Sequence, residues 1–235
     1  MTTRKRISVI ALLALLAGGV LAPSADAAAT RYITVSAQGA VKVVPDAVRI
    51  NATATAVAAS SKEALAATAK TSTAVRAALK SAKIDTKDIA TQSVTVYPEY
   101  KYTSDGGSTL TGYRGSQSFT IIVRAADTAG SLVDALVTAG GDNLQINGAT
   151  PFVLDSTKSL EAARAAAVKS AKSKAASYAK LMGAKLGKVN YLIENSAPTN
   201  YTPVMAVAKA ESDATVIDLG QQDVTISVTV QWSLL

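Results

Sequence analysis

The sequence has no cysteine and no histidine among its 235 residues, and aromatic side chains make up only 5% of it. Without cysteine there is no disulfide framework and no thiolate chemistry; without histidine there is no imidazole general base and no His-ligated metal. A Gly-rich phosphate loop, a dinucleotide fingerprint and a calcium loop with alternating acids are also missing, so no cofactor and no metal are expected. What remains is a chain that is 49% hydrophobic, with Lys+Arg 24 against Asp+Glu 17, whose stability must come from packing.

Arg4-Lys5-Arg6 precedes an apolar run from Ile7 to Leu16, which is followed by Gly18, Gly19 and the small-x-small triplet Ala25-Asp26-Ala27. This order of charge, apolar run and cleavage triplet reads as a secretory signal over residues 1–27. The run is short for a bilayer crossing of about 20 residues, and no later stretch approaches that length, so no membrane span is expected in the mature chain. The expected location is extracytoplasmic: periplasm, cell wall or extracellular medium.

From residue 28 onward the chain reads as α+β, mainly antiparallel sheet with long helices packed on it. Arg31 to Gln38 reads as a first strand, and Gly39 followed by Val41 to Pro45 makes a turn into a second. Alternation from Ala47 to Ala58, with Val48, Ile50, Ala52, Ala54 and Ala56 on one side, marks a half-buried strand. Ser60 and Glu63 form a capping box, opening a helix whose buried line is Leu65, Ala69, Ser72, Val75 and Leu79. Two strands, Thr91 to Tyr102 and Leu110 to Arg124, flank Ser104-Asp105-Gly106-Gly107-Ser108 and read as one long hairpin with a mobile tip. A short helix capped by Asp127 and stopped at Gly140-Gly141 leads to a strand from Leu144 to Leu154.

The longest helix spans Asp155 or Ser156 to Gly183, and Leu160, Ala163, Ala167, Ala171, Ala175, Tyr178 and Met182 fall in a stripe of about 120°. Arg164 and Lys174 lie within about 40° of that stripe, so each must snorkel, find an acid or face another chain. A strand from Lys188 to Glu194, a long segment from Asn195 to Gly220 and a closing strand bearing Val224, Ile226, Val228, Val230 and Trp232 complete the chain. A strand, long helix, strand, strand order occurs twice, which suggests a duplicated unit in two interlocked halves of one domain, residues 30–125 and 126–235. Ser81-Ala82-Lys83-Ile84 and Gly183-Ala184-Lys185-Leu186 occupy the equivalent helix ends.

Catalytic constellations are hard to find. Ser177-x-x-Lys180 has a Ser/Lys spacing but sits on a lysine-rich helix face, and no partner motif accompanies it. Asp46, Asp85, Asp88, Asp127 and Asp155 stand at turns and helix starts, where cap and turn chemistry accounts for them. Basic residues between Lys158 and Lys188 outnumber the single acid Glu161, but a solvated helix face explains them and the compartment argues against nucleic acid. The one concentration of interaction-prone side chains is Tyr97, Tyr100, Tyr102 and Tyr113 with neighbouring Arg114 on the hairpin. Alternation places Tyr100 and Tyr102 with Val94 and Val96 and points Tyr97 the other way; cross-strand packing, a subunit contact and sugar stacking are all consistent with such a ribbon.

The ordered set Val35-x-x-x-Gly39, Pro45-Asp46-Ala47, Tyr97-Pro98-x-Tyr100, Gly112-Tyr113, Ala163-Arg164, Tyr178-Ala179, Leu186-Gly187-Lys188-Val189 and Val228-x-Val230-x-Trp232 spans nearly the whole mature chain. It resembles the SIMPL-domain family, also called the domain of unknown function 541 family, which includes periplasmic immunogenic proteins. The resemblance implies an extracytoplasmic α+β protein, often oligomeric, linked in general terms to envelope or oxidative stress and without an established catalytic activity. Asp218-Leu219-Gly220 departs from the Pro-Gly that the family often carries before its last strand. The expectation is therefore a secreted, non-enzymatic, self-associating component of the cell envelope. Two alternatives stand beside it: a module binding a surface glycan through Tyr97, Tyr100, Tyr102, Tyr113 and Arg114, and an enzyme with an unrecognised carboxylate or Ser/Lys site.

Overall fold

The structure, a computed structural model, describes residues 31–102, 104, 106–195 and 214–235. The signal read over residues 1–27, the very tip of the hairpin and most of the long segment after residue 195 lie outside them. The elements are β1 (Tyr32–Val43), β2 (Ala47–Ala58), α1 (Ser61–Ser81), β3 (Ile89–Tyr102), β4 (Ser108–Val123), α2 (Ala129–Gly140), β5 (Leu144–Phe152), α3 (Thr157–Leu181), β6 (Leu186–Glu194) and β7 (Gln222–Leu234). The strands pair into two antiparallel sheets, ordered β1-β7-β6 and β3-β4-β2-β5. The fold is α+β, as the alternation of strand and helix periodicities predicts.

Each sheet has its own core. In the four-stranded sheet the apolar sides of β2 and β4, including Val48, Ile50, Phe119 and Ile121, face Val75 and Leu79 of α1 and Leu132 and Leu136 of α2. In the three-stranded sheet Val224, Ile226, Val228, Val230 and Trp232 of the central strand β7 face the alanines of α3. The strand–helix–strand–strand run in the second half is divided between them: β5 pairs with β2, whereas β6 and β7 belong to the other sheet. Residues of the chain entering β7 tie the two together, because Ile217 and Leu219 pack on the larger core and buried Gln222 donates its Nε2 to the carbonyl of Pro151 at 2.8 Å.

Gly39 is not a turn. β1 runs through it without interruption, paired with β7 from Tyr32↔Ser233 to Val43↔Gln222. The glycine is needed because α3 crosses there: a Cβ at residue 39 would lie 2.2 Å from the Ala167 nitrogen and 2.3 Å from the Ala163 oxygen. The buried line on α3 is Ala163, Ala167, Ala171, Ala175 and Ala179, so Tyr178 and Met182, expected in the stripe, are exposed. Steps of four residues wind slowly about the helix axis and follow the twisted sheet, which a straight stripe does not. The same shift occurs on α1, whose buried residues begin with Ala64 and Thr68 while Leu65 and Ala69 face solvent. Here too the sheet dictates size: a Cβ on Gly115 of β4 would meet the Thr68 hydroxyl at 2.6 Å and the Ala64 carbonyl at 2.8 Å.

The two cations beside the α3 stripe find partners. Arg164 donates from Nε to Glu194 at 2.9 Å, and Lys174 donates from Nζ to the Ser36 carbonyl at 3.1 Å. Ser60 caps α1, its Oγ accepting from the Glu63 amide at 3.3 Å. Asp127 does not cap α2; it lies in a short 3-10 turn, Ala126–Thr128, that leads into the helix. Both long helices close alike, with Ile84 N donating to Leu79 O and Ala184 N to Ala179 O. The residues that take the left-handed conformation at these ends are Lys83 (φ 58°) and Gly183 (φ 68°), so the two stops align two residues away from the match of Lys83 with Lys185.

Two outcomes follow for stability, both measurable by urea denaturation. Gly39→Ala forces a methyl group into helix backbone and lowers stability by about 3 kcal/mol. Lys83→Gly relieves an L-residue held at positive φ and raises stability by about 1 kcal/mol.

Candidate functional site

The hairpin of β3 and β4 extends beyond the N-terminus of α1, because that helix first meets the sheet at Gly115, opposite Val96. Past this point the ribbon has no helix over it, and its side chains stay in solvent: Tyr97 is 49%, Tyr100 47% and Tyr102 78% exposed. Pairing is regular from Ser93↔Ser118 to Glu99↔Gly112 and then shifts so that Tyr100 opposes Leu110. The extra residue, Thr111, is on β4, and its hydroxyl donates to the Glu99 carbonyl at 2.9 Å. Alternation along β3 is therefore unbroken at the tyrosines. Tyr100 and Tyr102 lie on the side of Val94 and Val96, and Tyr97 lies on the other, opposite Arg114.

The five residues singled out in the sequence are thus brought onto one ribbon but not onto one platform. Tyr113, half-buried, opposes Pro98, and Arg114 forms an ion pair with Glu99 across the strands. Glu99 escapes a sequence reading because it is the unspecified position of Tyr97-Pro98-x-Tyr100; only the pairing register of β3 with β4 places it near Arg114. At Gly112 a side chain would strike the Ala58 carbonyl, at 2.8 Å from the Cβ, so glycine lets β4 pass close to the end of β2. β3 is also an edge strand, unpaired on its outer side among the described residues. Exposed edges ordinarily carry some device against uncontrolled pairing, and Pro98, which has no N–H, is such a device here.

Elsewhere the acids resolve into structural roles. Asp46 accepts from the Leu154 amide at 2.8 Å, and Asp155 accepts from the Thr157 amide at 3.0 Å; the Thr157 side chain, and after it that amide, hold the Asp155 carboxyl below the usual range. Asp88 differs from the turn residue read in the sequence. It is buried, and both its oxygens accept from Arg124, from Nε and from Nη2, each at 2.7 Å. It borders a cavity of about 260 Å³ with Asp85, Lys83 and Thr128. These hydrogen bonds, with the guanidinium charge, push its carboxyl below the ordinary value, the wrong direction for a general acid. Asp85 is paired with Lys87 at 3.1 Å.

Ser177 and Lys180 both lie on the exposed side of α3. Ser177 borders a broad shallow depression of about 650 Å³ whose described lining, from Ala166 to Tyr178, comes from that one helix. Among the described residues no group of three or more Asp or Glu is arranged to hold a metal ion, and no helix is long and apolar enough to cross a membrane.

Two antiparallel sheets, one backed by two helices and the other by a long alanine-lined helix, with a protruding hairpin, define the class of protein. The chain belongs to the SIMPL family, described as protein of unknown function (DUF541), whose model matches residues 33–232. It is 29% identical to the 26 kDa periplasmic immunogenic protein of Brucella melitensis over 86% of this chain and 84% of the relative. It is also 31% identical to the uncharacterized protein YggE of Edwardsiella ictaluri over 92% of each chain. The YggE of Escherichia coli strain K12 is 30% identical over 88% of this chain and 83% of its own.

The Asp88–Arg124 pair yields a pH prediction. Because the folded carboxyl titrates below its ordinary value of 3.8, the pair stabilises the fold fully above that pH and is lost as pH falls through the folded value. Urea melts between pH 6 and about pH 2 are expected to show wild type losing a contribution at the acid end that Asp88→Asn lacks throughout.

Proposed function

We propose that this SIMPL protein is exported and acts without catalysis as a self-associating structural or interaction component of the cell envelope, with the β3–β4 hairpin as its contact surface. Export is supported by the signal-like residues 1–27 and by the printed name of the Brucella relative, a periplasmic protein. The observation that carries the reading is the concentration of solvent-facing tyrosines on a ribbon that protrudes beyond its helices. Tyrosine covers apolar area at low entropic cost and keeps a polar tip, which is why it is enriched where proteins meet.

Pro98 interrupts the donor row of the β3 edge, so side chains on both faces carry the contact more than ladder extension does. A glycan platform has less support: Tyr97 lies on one face, Tyr100 and Tyr102 lie on the other, and Arg114 is already engaged by Glu99. An enzymatic reading finds little support in the cavity beside Arg124, where Asp88 and Asp85 are both ion-paired.

Light scattering after size exclusion is the test. The protein is expected to run as an oligomer, and the Tyr97→Ala/Tyr100→Ala/Tyr102→Ala variant to dissociate at least tenfold more readily with an unchanged far-UV spectrum. A wild-type monomer at high micromolar concentration would defeat the proposal.

A further inference from the structure

Charge on α3 is distributed unevenly about the helix axis. Residues 162–193 contain no Asp or Glu, against one arginine and six lysines. The arginine, Arg164, reaches Glu194 of β6, whereas Lys174 reaches the Ser36 carbonyl of β1, so the two lie over opposite edges of the sheet. With about 100° of turn per residue, Glu161, the one acid of the helix, falls on the Arg164 side. The outward ridge of α3 and its β1 flank therefore carry cations alone.

Along the ridge Lys158, Lys169 and Lys180 recur every eleven residues, each about 16.5 Å farther along the axis and only about 20° farther round it. Lys172 stands between the last two. All four are exposed, and none forms an ion pair among the described residues. The depression of about 650 Å³ lies on the β1 flank, where its described lining includes Lys169, Lys174, Ser170, Ser173, Ser177 and Tyr178. Each of these side chains can donate a hydrogen bond, and none is an acid. Lys174 uses one N–H on the Ser36 carbonyl and keeps two.

We infer that this face of α3 binds a polyol phosphate chain of the cell envelope, its phosphates met by Lys169, Lys172, Lys174 and Lys180 and by the serine hydroxyls of the depression. Lysine acts as a point charge with rotatable donors and suits tetrahedral phosphate. Planar carboxylates are matched better by the fork of arginine, and the one arginine here is held by both oxygens of Glu194. Nucleic acid shares the phosphodiester chemistry, but its bases call for several aromatic rings among the cations, and Tyr178 is the only aromatic between Phe152 and Tyr191. An uncharged glycan would leave the lysines without partners. A second copy is a poor occupant, because a two-fold contact sets this face against itself and brings lysines onto lysines. The inference rests on the proposed export only in that export brings protein and polymer together, and it uses neither the hairpin nor the β3 edge.

The test is titration of the purified protein into fluorescently labelled poly(glycerol phosphate), followed by anisotropy, with dextran and single-stranded DNA as comparison chains. Binding is expected on poly(glycerol phosphate), weaker on DNA and absent on dextran. With four lysines displacing counterions, affinity should fall about fiftyfold between about 50 and 200 mM salt. Lys169→Gln/Lys172→Gln, which keeps helix propensity, should reduce that fall to about sevenfold. Ser173→Ala/Ser177→Ala should weaken binding about fivefold at fixed salt. Lys62→Gln/Lys70→Gln removes the same charge from α1 and should bind like wild type, as should the hairpin tyrosine variant, which separates this face from the oligomer contact. The assay takes purified protein, so its failure leaves the export reading standing. No binding to poly(glycerol phosphate), equal binding of dextran, tighter binding of DNA, or as large a loss from the α1 pair as from the α3 pair would overturn the inference.

Discussion

The alanine line of α3 lies against β1 and β7 so closely that residue 39 has no room for a side chain. Much of the smaller sheet follows from that separation. Alanine on the helix and glycine on β1 remove bulk on both sides, so the helix backbone approaches the strand and most of the large buried residues come from β7. Each alanine contributes little area at about 25 cal/mol per Å², and the stabilisation resides in Val224, Ile226, Val228, Val230 and Trp232, which the helix seals from water. Because the helix is narrow, it covers β1 and β7 but leaves β6 wet: Leu192, which opposes Val230 on the helix side, is 48% exposed.

The larger sheet uses the same device once, where Gly115 receives Ala64 and Thr68, and then departs from it. Beyond Gly115 toward the core end, Phe119 and Ile121 meet Val75 and Leu79, and packing becomes that of ordinary large side chains. Beyond it in the other direction the helix is absent and the ribbon continues alone. The tyrosines stand where packing ends, and their exposure is a consequence of where α1 begins.

Much of this was legible in the residues. β2 was read with the bounds the structure gives, and β7 with its full apolar face, because period two depends only on local alternation. β1 was misread because a glycine between two β-prone runs looks like a turn, whereas its cause is a helix more than a hundred residues away. The stripes on α1 and α3 were displaced for a related reason: they follow the sheet they rest on, which no helical wheel contains. Leu65 and Tyr178, large and apolar, attracted the stripe in the sequence, while the sheet accepted Ala64 and Ala179. Arg164 and Lys174 were recognisable as needing partners, but Glu194 and the Ser36 carbonyl could not be named without the topology. Asp88 looked like any other turn residue, and only its burial against Arg124 distinguishes it. The tyrosine ribbon was found from composition; its division into two faces followed from alternation, and the bulge at Thr111 left that division intact.

The last strand of the chain is the middle strand of the smaller sheet, paired with the first: Ser36 and Thr229 share a hydroxyl contact across a sequence separation of 193. That sheet cannot assemble before β7 has been made, since among the described residues β1 and β6 pair with β7 alone. Closing so long a loop is slow compared with forming a hairpin or a helix. A chain made from its N-terminus therefore keeps β1 without its partner until β7 has followed it, and loss of β7 would leave the strand synthesised first with nothing to pair with.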